Sequence, residues 1–358
     1  MTIRIPIARP ELGPEESAAV ADVLASGMLI SGRVVEEFER GLAERCGRRH
    51  CVAVANGTAA LELALRALGV DGGGVLVPAL SWPSPGHVAA WVGATPVLVD
   101  VDPGSWNATA DALAAARTDA TRCAIAIDQF GVPAEHPAIR AALAGLPIVE
   151  DAACAIGSTL DGRPCGSFGD VSCLSFHPRK VVTTGEGGAC LTDDDGLADE
   201  LRVLRNHGQR AVGEFVAPGP NERLTEMQAA IGLVQLGRLD GMIRRRREIC
   251  DAYRAALPGL GLVAQAHPVG AAVNEQTFGA VVAAGMDRDA VIASLRDQGI
   301  GAGILSYALT RIGSLAPLGQ SAPTAEDVVD RGLALPVYPA MADADVADVL
   351  AALAVAVG

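Results

Sequence analysis

The chain has 358 residues, half of them apolar, only 3% aromatic, with a formal net charge of −14. That excess of acid argues against nucleic acid or an anionic membrane surface as the main partner. The length accommodates one large domain with a smaller one beside it, and eight cysteines without a C-x-x-C pair or a zinc spacing suit reduced thiols and no metal site.

The start, Met1-Thr2-Ile3-Arg4-Ile5-Pro6, carries no secretory pattern. The apolar stretch Val88–Val101 is broken by Gly93 and Pro96 and is too short to span a bilayer. A cytoplasmic enzyme is expected. In chain order, apolar runs over Cys51–Ala55, Gly74–Leu80, Ala94–Val101, Cys123–Asp128, Pro147–Asp151 and Val171–Ser175 predict strands covered on both faces of a parallel sheet. Between them, Thr58–Leu68 predicts a helix with Leu61, Leu63, Ala64 and Ala67 near helical spacing and Gly69 as its stop. This alternation is α/β architecture. From Leu224 to about Leu257 the period lengthens: Leu224, Met227, Ile231, Val234 and Leu239 predict one long helix. The run Arg244–Arg247 on it reads as a solvated face. Beyond it, Thr277–Ala284 and Ile300–Ser306 predict strands, and Asp287–Gln298 and Asp343–Val357 helices. The expected division is a large domain over 1–240 and a smaller α+β domain over 241–358, with an N-terminal segment able to pack on the smaller one.

One residue stands out by its rarity. Lys180 is the only lysine among 28 basic residues. Arginine can replace lysine as surface charge but cannot lose a proton near neutrality and attack a carbonyl carbon. Lys180 is therefore a candidate Schiff-base nucleophile; chance survival in an arginine-biased composition fits the count equally well. Four features near the predicted strand ends bear on the choice, since ligands of open α/β sheets bind at the carboxyl edge. Asn56-Gly57-Thr58-Ala59-Ala60 turns from a strand into a helix start, which suits a phosphate, although Thr58 also reads as an ordinary N-cap. Trp82, just past a strand, suits stacking on a flat ring or a place in the core. Ile148-Val149-Glu150-Asp151 ends a buried strand in two acids. Asp151 there needs a partner, either a protonated pyridine nitrogen or a helix start or arginine, while Glu150 should face away. Ser175-Phe176-His177-Pro178-Arg179-Lys180 leads into Gly185-Glu186-Gly187-Gly188, a turn through which backbone can pass close to a ligand or simply form a hairpin. Ser175 can donate to a phosphate; His177 reads as packing.

With a phosphate-type helix start upstream, Asp151 and Lys180 suit pyridoxal phosphate. The stretches Asn56–Leu68, Glu150–Ala155, Gly166–Asp170, Ser175–Gly188, Leu204–Gly208, Asn221–Gly232 and Ala334–Pro339 together resemble the DegT/StrS-type sugar aminotransferases. The resemblance implies the aspartate-aminotransferase fold, pyridoxal-phosphate fold type I: a large domain with a mostly parallel sheet plus a smaller α+β C-terminal domain. By position it implies that Lys180 carries the cofactor and Asp151 partners its ring nitrogen. Thr58, Ala59 and Ser175 would hold its phosphate, Trp82 would stack on its ring, and Cys154 would lie near its ring hydroxyl. Asn221 would reach the phosphate of a neighbouring subunit, implying a homodimer with shared active sites; without the family it reads as a loop or N-cap asparagine.

The chain also departs from the family. Cys154 stands where Gln or His is usual, Asp128 where a run often begins with His, Pro220 and Glu222 where aromatics often flank Asn221, and Ser306-Tyr307 in place of His-Tyr. The implied activity is transfer of an amino group from glutamate or glutamine to a keto-sugar or keto-cyclitol in amino-sugar or secondary-metabolite biosynthesis. Arg223 is a candidate fork for the donor carboxylate or a structural ion pair. Lys180 argues against the family's keto-sugar dehydratases, which lack that lysine, and the Asp151/Lys180 pair against a non-catalytic cofactor-binding regulator. A nucleotide-binding glycine motif at Gly299–Gly303 is rejected on spacing.

Overall fold

The computed structural model describes residues 3–358. Seven strands form the central sheet: β1 (His50–Val54), β2 (Gly74–Pro78), β3 (Thr95–Val99), β4 (Thr121–Ile127), β5 (Ile148–Asp151), β6 (Val171–Ser175) and β7 (Gly188–Thr192). Their order is β1-β7-β6-β5-β4-β2-β3. Strands β6, β5, β4, β2 and β3 are mutually parallel, and β7 is antiparallel to both of its neighbours. Two reversals restore the direction of β1, so its carboxyl end shares an edge with those of β5 and β6.

Both faces of the sheet are covered, which explains the almost unbroken apolar strands. Successive side chains alternate between faces. Val52, Val54, Val75, Val77 and Val149 enter one core together with Leu63 and Leu65. Ala53, Leu174 and Leu191 enter another with Phe38 and Leu42, and Leu76, Ala124 and Ala126 a third with Ile139 and Leu143. Helices α1 (Pro14–Ser26) and α2 (Arg33–Cys46) lie before β1, and α3 (Gly57–Ala67) follows it. Helix α4 (Glu226–Ala256) is one 31-residue element. Thr225 Oγ1 accepts from Gln228 N and Gln228 Oε1 accepts from Thr225 N, a reciprocal cap that fixes where it begins.

The first half of α4 packs Leu239, Met242 and Ile243 on the large-sheet side. Its second half sends Ile249, Cys250 and Tyr253 into a separate core with Phe278, Leu295, Leu335 and Leu353. That core lies under an antiparallel sheet of β8 (Val263–Ala264), β9 (Phe278–Val281), β10 (Gly303–Ile304) and β11 (Gly332–Leu335), in the order β8-β9-β11-β10. Helices α5 (Arg288–Asp297) and α6 (Asp343–Val357) pack against each other beside it. Ile5 is buried in the same core and bridges Ile300, so the N-terminal segment joins this end of the molecule. Leu309, Leu315 and Val328 instead pack back onto the large-sheet core. No helix among the described residues is long and apolar enough to cross a membrane.

Several sequence expectations change in the fold. The strand predicted over Ile300–Ser306 shrinks to Gly303–Ile304, because Gly299 takes φ +78° and Ile300 pairs with Ile5. Gly74–Leu80 divides at Ala79, after which Leu80–Ser81 pairs with Tyr307–Ala308. The sheet is mostly parallel, as expected, with β7 reversed against both of its neighbours. Arg244–Arg247 is a solvated face only in part: Arg244 is exposed, but the last two arginines bond to main-chain carbonyls. Arg246 is 4% exposed and its Nη1 donates to the carbonyls of Glu275, Gln276 and Val337, while Arg247 Nε donates to Val273 O. Burial lowers the Arg246 pKa to about 10, which still leaves it charged at neutrality. Arg246→Ala should strand three buried carbonyls and cost about 3 kcal/mol; denaturant unfolding of the variant measures this, and an unchanged midpoint would refute the role.

Candidate active site

The carboxyl edge of the sheet opens into a cleft of about 780 Å³. Helix α3 begins at its wall. Asn56 is extended at φ −168° and its Oδ1 accepts from Ala59 N at 2.9 Å, so Asn56 caps the helix and Thr58 does not. Thr58 lies in the first turn, with Oγ1 2.8 Å from Ser84 Oγ. The first-turn N–H groups of Gly57 and Thr58 have no partner within the helix. A Cβ on Gly57 would lie 2.8 Å from Ser175 Cβ, and one on Gly188 would lie 2.4 Å from Asn56 O. The starts of α3 and β7 and the end of β6 are thus in backbone contact, and this packing, not turn conformation, is what these two glycines serve.

Asp151 ends β5 and is 5% exposed. Its Oδ1 accepts from Ala153 N at 3.1 Å, and no arginine reaches it among the described residues. Burial pushes its pKa up; the Ala153 N–H and the charge of Lys180 act in the opposite direction. A carboxylate desolvated to this extent with one hydrogen bond is a site for a cation.

Glu150 faces the other way, as expected. It accepts from Gly166 N, Phe168 N, Gly169 N and Ser172 Oγ and so fixes the turn before β6. His136 Nε2 lies 2.6 Å from Asp128 Oδ1, and its ring stacks on Phe168 at 4.5 Å. Burial raises the Asp128 pKa to about 6 despite the imidazole beside it. Asp128 N in turn donates to Asp151 O at 3.0 Å, tying this buried cluster to the site strand.

Lys180 sits on the 176–187 connection between β6 and β7. Lys180 N donates to His177 O, and Thr183 Oγ1 and Thr184 N both donate to Phe176 O, which fixes the loop. The glycine-rich end is thus a long hairpin connection that also passes close to the cleft. Lys180 Nζ donates to Cys154 Sγ at 3.0 Å. Trp82 is not in the core; it is 62% exposed at the cleft and meets Tyr307 edge-on at 5.5 Å. His177 lines the cleft, and burial lowers its pKa, so it is neutral at pH 7.

The fold therefore gathers Thr58, Ala59, Trp82, Asp151, Cys154, Ser175 and Lys180 around one cleft. Asn221 is exposed and outside that lining, bridged to Asn206, and it does not cap α4. Arg223 donates to Asn206 Oδ1 and forms no ion pair. Sequence reasoning missed Ser84 at the start of a helix, Gln129 in a 3-10 turn and Gln276 in a loop, which reach the cleft from separate parts of the chain and carry no local signal.

The donor set fits pyridoxal phosphate: N–H groups and hydroxyls at a helix start for a dianion, an uncompensated buried carboxylate for a ring N–H, and an amine between them. A family model, the DegT/DnrJ/EryC1/StrS aminotransferase family, matches residues 10–354. The chain belongs to this family. Among solved structures it is similar to Spr1654 from Streptococcus pneumoniae in its PMP form, with 28% identity, coverage of 98% of this chain and 97% of that one, and a TM-score of 0.94. It is similar to the aminotransferase TlmJ from Streptoalloteichus hindustanus, with 34% identity, 98% of each chain and a TM-score of 0.93. It is also similar to DesI solved in the presence of its TDP-sugar product, with 32% identity, 99% of this chain and 93% of that one, and a TM-score of 0.92. The fold is that of the type I pyridoxal-phosphate enzymes, and the protein is a pyridoxal-phosphate-dependent aminotransferase of the sugar aminotransferase family.

Gly57→Ala should push α3 off Ser175 and raise the cofactor Kd about tenfold, the equivalent of about 1.4 kcal/mol. Equilibrium dialysis of the cofactor reads this; unchanged affinity would show that the contact does not shape the phosphate end.

Proposed function

We propose that this aminotransferase moves an amino group from glutamate or glutamine to a keto-sugar or keto-cyclitol, in amino-sugar or secondary-metabolite biosynthesis. The observation that carries the reading is the convergence of the sole lysine and a buried, cation-free carboxylate on one cleft at the sheet edge. Membership of a sugar aminotransferase family supports the class of acceptor. Bound pyridoxal phosphate supplies an electron sink for the carbanion formed at the amino-bearing carbon.

In this reading Asp151 holds a proton on the ring nitrogen, because a charged pair is the cheapest state for a carboxylate in so dry a place. Thr58, Ala59 and Ser175 bind the phosphate, together with the first-turn N–H groups of α3. Trp82 covers a ring face and Cys154 lies near Lys180. The free amine of Lys180 moves a proton between the substrate carbon and the cofactor side of the cleft. The 1–240 region supplies this machinery, and the 241–358 region closes one side of it. The bond from Gln276 Nε2 to Arg179 O at 2.7 Å supports that coupling.

The protein acts as a homodimer in which Asn221 completes the partner's site. Exposed apolar side chains support this: Met28 is 60% exposed, Ile30 51% and Phe215 63%. These side chains would otherwise lie in water on separate parts of the surface.

Lys180→Arg keeps charge and bulk and should lower turnover by at least 10²–10⁴-fold, with loss of the visible absorption band that borohydride removes from the wild type. Asp151→Asn should lower kcat far more than it raises the KM for donor. Retained turnover in the lysine variant would rule out its role. Offering nucleotide-linked keto-sugars, free keto-sugars and keto-cyclitols with each donor should yield one preferred acceptor; turnover of none of them would reject the class. Sedimentation should give twice the chain mass, and a monomer that is fully active would reject the shared site.

A further inference from the structure

The one hydrogen-bond partner of Lys180 Nζ among the described residues is a thiol, Cys154 Sγ, at 3.0 Å. Cys154 is also the only one of the eight cysteines that is not buried. The others lie in the cores, and burial, the largest cause, pushes the thiols of Cys46 and Cys123 up to about 12. Cys154 opens instead on the cleft through which small molecules reach the lysine. The nitrogen and the sulfur are held together from behind by one short segment. Asn274 Nδ2 donates to Cys154 O at 2.9 Å, Gln276 Nε2 donates to Arg179 O at 2.7 Å, and Gln276 N donates to Asn274 Oδ1. Both loops are therefore fixed to residues 274–276, and the N···S contact is built into the fold.

We infer that Cys154 and Lys180 form an oxidative modification site, at which a hydroperoxide joins the two side chains through a sulfur–nitrogen bond. With the amine in its neutral form, the thiol passes its proton to Nζ, and the thiolate attacks the peroxide. The O–O bond breaks, an S–O bond forms, and hydroxide leaves to take the extra proton from the ammonium as water. The neutral amine then attacks the sulfenic sulfur, the S–O bond breaks, and a second water departs. The sum is one thiol, one amine and one hydrogen peroxide giving one sulfenamide and two waters; sulfur is oxidised by two electrons and the peroxide oxygens are reduced. A dithiol reverses it: its first sulfur attacks the cysteine sulfur and releases the amine, leaving a mixed disulfide, and its second sulfur then displaces the cysteine thiol as the reagent closes into its own disulfide. The linkage removes the enzyme's only lysine from use without loss of that lysine.

The same contact makes the site conditional. Where Lys180 Nζ is covalently engaged with the cofactor, as the proposed function requires of the resting enzyme, no amine is free to attack. Cofactor-free protein, and enzyme whose cofactor holds the amino group, expose the pair. This conditional part rests on that functional reading; the cross-link in cofactor-free protein does not.

Treatment with hydrogen peroxide followed by intact and peptide mass measurement decides the matter. Cofactor-free wild type should lose about 2 Da and yield one joined peptide containing Cys154 and Lys180, and dithiothreitol should restore the original mass. Cys154→Ser should show no joined peptide. Protein saturated with pyridoxal phosphate should react at least tenfold more slowly. A gain of about 32 Da at Cys154 with Lys180 unmodified would overturn the inference, as would an unmodified Cys154 or a joined peptide that retains oxygen. Equal rates with and without the cofactor would overturn its conditional half while leaving the cross-link standing.

Discussion

A carboxylate without a cation, placed where water is excluded, organises this molecule. Asp151 is 5% exposed at the end of a strand covered on both faces, and the one hydrogen bond to its carboxylate among the described residues comes from the backbone two residues on. Such a group is costly alone and stable once a positive charge is brought to it. The sheet supplies the burial and the loops supply the opening. The cleft is the one direction from which the missing charge can come. A protonated ring nitrogen would meet that need, in keeping with the role proposed for Asp151 in this pyridoxal-phosphate aminotransferase.

The remaining geometry follows from the sheet's two reversals. Because β7 runs against both neighbours, β1 points the same way as β6, and α3 begins beside Ser175. The connection that makes the first reversal carries Lys180. One topological feature therefore brings the phosphate-type helix start and the amine to the edge where Asp151 waits. Bonds from behind hold it in place, with Glu150 pinning the turn before β6 and residues 274–276 tying the lysine loop to the Cys154 loop. Rigid support of this kind is what positions a reacting amine within the tolerance of proton transfer.

Much of this was legible in the order of the residues. The apolar runs around β2, β4, β5 and β6 marked a buried sheet, because strands covered on both faces carry mostly apolar side chains on each. The solitary Lys180 stood out because arginine cannot replace its chemistry. The alternative reading of Thr58 as a cap fails, since Asn56 and Thr58 are both good caps and only backbone dihedrals separate them. Arg246 and Arg247 were misread as part of a wet face. A charge run says nothing about the carbonyls that a distant segment brings to it, here those of residues 273–276 and 337.

By itself the sequence determined the alternation of strands and helices, the acid at a strand end, the glycines that permit close backbone contact, and a single possible Schiff-base nitrogen. These are local properties, written in period, size and chemistry at neighbouring positions. Only the tertiary structure decided that β7 reverses, that Ser84, Gln129 and Gln276 share the cleft, that Trp82 is open to it, and that a thiol touches the lysine. Those relations join residues far apart in the chain, and packing of the whole sheet against its helices fixes them where no local pattern can.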